Sequence, residues 1–289
     1  MLHNSFILLS ILLAALSVFI PLIRRYSWHT EKLQLYQRIT TWWYIIAVIL
    51  LAGFNLWSLY TLTAVVICCC LYELAKINQL QLSWRWLLPV LLCLALQWCI
   101  AWQAWILLLL VTSLLIAALY WLSSTILRAK KRLLLIAASA SWILGLSAIS
   151  AILSASPMLT GIGNLLFLVV ICQGNDVAQY CWGKSLGGKQ ISPTLSPNKT
   201  WAGFLGGLST LSVIGFWLGP LLTQLSAFEA ALGAALICLF GFFGDLSVSA
   251  LKRFYKIKDT GTMLPGHGGM GDRVDSLLLS SWLFYFFLF

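Results

Sequence analysis

The chain has 289 residues, of which 61% are hydrophobic and 9% charged, with 15 tryptophans and a formal net charge of +10. A soluble domain of this size could not bury that much apolar surface, so the composition excludes a water-soluble protein and indicates a polytopic, all-helical membrane protein. The positive charge reads as an orientation signal and an attraction to anionic membrane lipid, and it carries no nucleic-acid footprint.

Apolar runs able to cross a bilayer recur near 5–23, 42–60, 61–76, 86–101, 104–122, 132–154, 163–182, 203–223, 229–250 and 276–289. A residue or two separates the second run from the third and the fourth from the fifth, so the expected number of spans is eight to ten. With ten spans and the N-terminus outside, all 18 basic residues fall in inward loops, as the positive-inside rule requires. The first run has no basic leader and no small-residue cleavage site, so it reads as a retained span. All eight cysteines lie within apolar runs and read as small buried hydrophobes.

Residues 1–155 form the first unit, a set of spans whose loops carry no recognisable chemistry. Glu73 there lies three residues before Lys76 at a helix end, which reads as a local i, i+3 pair. Residues 156–289 form the second unit, and here three polar segments interrupt the spans. Asp176 and Asp245 each lie inside a span, about six residues from its inward end, or roughly 9 Å by helical rise. Both helices run in the same direction, so the two carboxylates can share one depth. Acids at such a level repel unless a cation or a proton sits between them.

The next polar segment, 183–202, holds Gly183 to Lys189 in Gly-x₄-Gly-Lys spacing, but Gln190 stands where a phosphate-binding P-loop needs Ser or Thr. A transmembrane run rather than a strand precedes it, so a P-loop is excluded. Pro193 and Pro197 keep 192–198 out of helix and predict an ordered, hydroxyl-rich loop ending at Lys199. The last polar segment is the densest. Residues 249–275 hold three of the eight acids, five of the 18 bases and one of the three histidines. Pro265 and Gly266 break the chain, and His267-Gly268-Gly269 predicts a loop whose N–H groups can face an anion. Asp272 and Asp275 follow at i, i+3 on one helical face. Carboxylates that bridge to substrate phosphates through Mg²⁺ are the usual chemistry of such a set.

Ser249-x-Leu251-Lys252-Arg253-x₄-Lys258-Asp259-x-Gly261-x₂-Leu264-Pro265-x-His267-Gly268-Gly269-Met270-x-Asp272-Arg273-Val274-Asp275 resembles the full signature of the CDP-diacylglycerol synthases, or phosphatidate cytidylyltransferases. Asp176 with Tyr180 and Gly183-Lys184, Ser192-Pro193 through Ser196-Pro-x-Lys199-Thr200-Trp201, and Gly244-Asp245-Leu246 resemble the same family. The resemblance covers about 165–280 and implies the reaction of CTP with phosphatidate to CDP-diacylglycerol and diphosphate, in phospholipid synthesis at a bacterial inner membrane. It implies Mg²⁺, with room for a second cation, and a site facing the cytoplasm. On this resemblance Asp245 and Asp272 are the expected metal ligands. Lys252, Arg253, His267 and Arg273 are the expected catalytic phosphate contacts. Lys199, Ser249, Lys258, Gly268, Gly269 and Asp176 are expected at the substrates, and a homodimer is left open.

One departure is Val248, which stands where many bacterial members carry a glutamate. It leaves another lipid phosphate, or a silent paralogue, as the alternative. A transporter is disfavoured because its polar groups would lie near the midplane in two inverted halves. A CDP-alcohol phosphotransferase would need Asp-Gly-x₂-Ala-Arg, which is absent from this sequence.

Overall fold

A computed structural model describes residues 55–79, 87–101, 129–264 and 268–289. The expected spans near 5–23 and 104–122, and most of 42–60, lie outside the described residues, as does His267. Those described form helices α1 (Leu56–Ile77), α2 (Leu87–Ala101), α3 (Ala129–Ser154) and α4 (Met158–Leu186). A two-stranded hairpin follows, β1 (Gln190–Ser192) and β2 (Ser196–Thr200). After it come α5 (Trp201–Leu222), α6 (Ala227–Phe254), the single turn α7 (Gly271–Val274) and α8 (Leu277–Leu288).

By length and composition, the helical stretches Trp57–Ile77, Leu133–Ser154, Met158–Leu186, Trp201–Leu222 and Ala227–Phe254 can each cross a membrane. The chain is a polytopic helical membrane protein. One boundary differs from expectation. No break occurs at residues 60 and 61; the helix starts at Leu56, where the Asn55 side chain accepts from the Trp57 N–H. Residues 56 to 77 contain no glycine or proline to interrupt it. The expected last run, 276–289, is the helix α8.

Two apolar cores hold the bundle. Ile67, Leu74, Leu96, Trp142, Leu146, Val248 and Leu278 belong to one, which joins α1, α2, α3, α6 and α8. Phe167, Ile171, Leu211, Ala234, Ile237 and Phe284 belong to the other, which joins α4, α5, α6 and α8. Helices α6 and α8 contribute to both and tie the two halves of the chain together. Small residues permit the closest approaches, as is usual between helices in lipid. A Cβ at Gly219 would fall on Ala230, and one at Gly145 on the Leu278 carbonyl.

Helix α6 opens with a capping box. The Glu229 carboxylate accepts from the Ser226 N–H at 2.8 Å, and Ser226 Oγ accepts from the Glu229 N–H at 3.4 Å. That accounts for one acid without any chemistry. The described cysteines are free; Cys70, Cys99, Cys172 and Cys238 are buried as expected, and Cys68 and Cys69 are half-buried. Cys181 is exposed instead, because it lies on an outer face of α4 near its end.

Candidate active site

The expected loop at 192–198 is an antiparallel hairpin, pairing Gln190 with Thr200 and Ser192 with Ser196. The prolines do exclude helix, and a short, exposed strand tolerates them. Thr200 ends β2 and caps α5, its Oγ1 accepting from the Gly203 N–H at 3.1 Å. This cap fixes the residue before it. Lys199 is carried inward, where its ammonium pairs with the Asp245 carboxylate and stands 4.4 Å from the centre of the Phe242 ring. Arg253 Nε donates to the Leu195 carbonyl at 3.3 Å and so fastens the hairpin turn to the end of α6.

Asp245 has two acidic neighbours. Asp176 on α4 and Asp275, just after α7, lie close enough to it for the three carboxylates to repel one another. Gly244 makes the approach possible, since a Cβ there would come within 2.5 Å of the Asp275 carbonyl oxygen. Ser276 adds donors, its N–H to Asp275 Oδ1 at 2.8 Å and its hydroxyl to Asp176 Oδ2 at 3.5 Å. Ser249, one turn after Asp245, donates to it at 3.3 Å. Arg273 and Lys199 both act on the charge of Asp176. The two intrahelical acids lie farther from their helix ends than from the ends of their apolar runs, because the helices run on to Leu186 and Phe254. That places them about 15 and 14 Å from the helix ends by helical rise.

Asp272 belongs to a neighbouring network. Its Oδ1 accepts from Lys252 Nζ at 2.9 Å. Its Oδ2 accepts from the N–H groups of Thr260, at 2.8 Å, and Gly269, at 3.0 Å. Lys252 also acts electrostatically on Asp275, which links this network to the three carboxylates. Gly268 has φ +84, a conformation glycine adopts without strain, and a Cβ there would meet Asp272 Oδ2 at 2.9 Å. Lys258 is exposed.

Glu73 departs from the expected helix-end pair with Lys76. The described ion pairs do not include one to Lys76. The carboxylate is buried, with Oε1 accepting from the Met270 N–H at 2.7 Å. Its Oε2 accepts from the Gly271 N–H at 3.0 Å and the Thr260 hydroxyl at 2.8 Å. Nearby, Tyr255 donates to Asn78 Oδ1 at 2.7 Å, tying the ends of α1 and α6 together. Burial pushes the Tyr255 phenol up from its ordinary value, and the bond to Asn78 opposes that.

Among the described residues no three His, Cys, Asp or Glu side chains form a ready metal cage. Mg²⁺ does not require one, since it is usually held by one or two carboxylates together with water and substrate phosphates. Asp245, with Asp176 and Asp275 as acidic neighbours and a lysine ammonium as partner, offers carboxylate oxygen of the kind that suits a hard cation.

The fold and this arrangement define a helical membrane protein with an acidic floor beneath a cationic, glycine-rich loop. The cytidylyltransferase family model matches residues 36–289, and the chain belongs to that family. It is 45% identical over 124 residues to the uncharacterized protein YnbB of Escherichia coli K12, covering 43% of this chain and 42% of the relative. It is 35% identical over 150 residues to a phosphatidate cytidylyltransferase of Brucella suis, covering 52% and 56%. It is 39% identical over 130 residues to a phosphatidate cytidylyltransferase of Bacillus subtilis, covering 44% and 48%. The matches thus span about half the length of these curated relatives.

Proposed function

We propose that the protein transfers the cytidylyl group of CTP to phosphatidate, giving CDP-diacylglycerol and diphosphate. The observation that carries this reading is the junction of two networks, Lys199–Asp245–Asp176–Asp275 and Lys252–Asp272–Thr260–Gly269, at the end of α6. In the reaction a phosphatidate oxygen bonds to the α-phosphorus of CTP as the bond from that phosphorus to the β-phosphate bridging oxygen breaks. The diphosphate leaves with that electron pair. No covalent enzyme intermediate is needed, so the task is positioning and charge compensation.

Asp245 and Asp272 are the proposed Mg²⁺ ligands, with Asp176 contributing negative charge and a second cation accommodated beside them. Bound Mg²⁺ would neutralise phosphate charge. Lys199 and Lys252 now each cover one of these carboxylates, and phosphate oxygens would compete for the same ammonium groups. Arg253, Lys258, Arg273, Ser249 and the Gly268–Gly269 backbone complete the proposed contacts, and His267 is assigned to phosphate on its sequence position. The site would face the cytoplasm of a bacterial inner membrane, with CTP arriving from water and acyl chains remaining in lipid. A homodimer is compatible with the reading. Val248 is buried in the apolar core.

The test is purified protein with labelled CTP, phosphatidate and Mg²⁺. CDP-diacylglycerol should form, and Asp245→Asn or Asp272→Asn should abolish it. Activity that survives both substitutions would sink the ligand assignment. No wild-type turnover with phosphatidate, but turnover with another lipid phosphate, would move the acceptor.

A further inference from the structure

Glu73 is an acid of the first half of the chain, yet among the described residues its side-chain bonds are all to the signature loop of the second half. Its three partners are all donors: the N–H groups of Met270 and Gly271 and the Thr260 hydroxyl. A carboxylate buried to 1% exposure is costly to desolvate and persists where such donors compensate it. The loop is shaped around it. A Cβ at Gly261 would meet Glu73 Oε1 at 2.6 Å, and one at Gly269 would meet Glu73 Oε2 at 2.5 Å. Two glycines of the signature thus leave room for a side chain that lies nearly 190 residues earlier in the sequence, the separation between Glu73 and Thr260 being 187.

The consequence reaches Asp272. Thr260 Oγ1 lies 2.8 Å from Glu73 Oε2 and 3.1 Å from Asp272 Oδ2. A hydroxyl carries one proton and donates to one acceptor at a time. Thr260 therefore stands between the two carboxylates, and its own amide and that of Gly269 hold Asp272 Oδ2. We infer that Glu73 is a positioning residue for Asp272: by accepting from Thr260, Met270 and Gly271 it holds these residues in place, and so keeps the amides of Thr260 and Gly269 directed at Asp272. The inference rests on the cytidylyl-transfer reading for its kinetic part and on geometry alone for its structural part.

The test compares full-length wild type with Glu73→Gln, Glu73→Ala and Thr260→Val, each purified in detergent. Glutamine keeps one acceptor and turns an NH₂ toward backbone N–H groups, so it is the milder lesion. Hydrogen–deuterium exchange over 259–272 should accelerate in both Glu73 variants while α4, α5 and α6 retain wild-type protection. In the same samples kcat should fall about tenfold for Glu73→Gln and about 100-fold for Glu73→Ala, with KM for CTP nearly unchanged, since a displaced catalytic group costs rate more than binding. Thr260→Val, which removes the bridging hydroxyl but leaves Glu73, should fall between wild type and Glu73→Gln. Wild-type exchange and kcat in Glu73→Ala would overturn the inference. So would a uniform loss of protection throughout the molecule, which would mark a general folding role. If wild type itself shows no cytidylyl transfer, the functional reading fails, and the exchange measurement still decides whether Glu73 holds the loop.

Discussion

Gly269 illustrates how much of the site depends on single atoms. Its N–H donates to Asp272, and a Cβ would overlap the Thr260 hydroxyl and lie 2.5 Å from Glu73 Oε2. Gly269→Ala must therefore push the loop away from one carboxylate or the other. Overpacking of this kind costs about 1–3 kcal/mol when the surroundings are rigid, and the loss should appear as a drop in kcat of at least tenfold in the cytidylyl-transfer assay. A Gly269→Ala enzyme with wild-type kinetics would mean that the loop has slack that its bonds do not suggest. At this scale the acids were legible from sequence because charge is rare in the chain: Asp176, Asp245, Asp272 and Asp275 stand out against apolar surroundings. Glu73 stood out equally but was assigned to Lys76, its neighbour in sequence. Its actual partners lie 187, 197 and 198 positions away, and local spacing carries no information about them.

At the scale of elements, the helices followed from their apolar runs, and the hairpin did not. Its strands have three and five residues, too short for alternation to register, and two prolines point to an ordered loop rather than strands. What made it a hairpin is the anchoring at both ends: Trp201 N–H donates to the Lys189 carbonyl at 3.1 Å, and Arg253 holds the turn. The cap at Thr200 separates structure from function. Thr200→Ala removes the acceptor for the Gly203 N–H, and Ser226→Ala removes the corresponding cap at the other end of the helix pair. Each should cost about 1 kcal/mol of stability, visible as a similar drop in unfolding temperature in detergent. Only Thr200→Ala should also slow turnover, because only that cap adjoins Lys199, the partner of Asp245. Equal kinetic behaviour in the two variants would show that the position of the hairpin does not govern the site.

At the scale of the whole molecule, the proposed orientation of the bundle can be tested. Helix α5 has 22 residues and α6 has 28, or roughly 33 and 42 Å by helical rise, enough to cross a hydrocarbon core of about 30 Å. The connection between them, around Gln224, therefore lies on the opposite side from the hairpin, which carries Lys189 and Lys199. The basic residues favour the hairpin side as cytoplasmic. Gln224 and Lys189 are both exposed and can carry a reporter. With Cys181 replaced by serine, Gln224→Cys should react with a membrane-impermeant maleimide on intact spheroplasts. Lys189→Cys should react only after the membrane is opened. The reverse pattern would place the acidic floor on the outer face, where CTP does not reach it, and would remove the cytidylyl-transfer reading together with the orientation. Labelling of both positions in intact cells would mean that α5 and α6 do not cross the membrane as a pair.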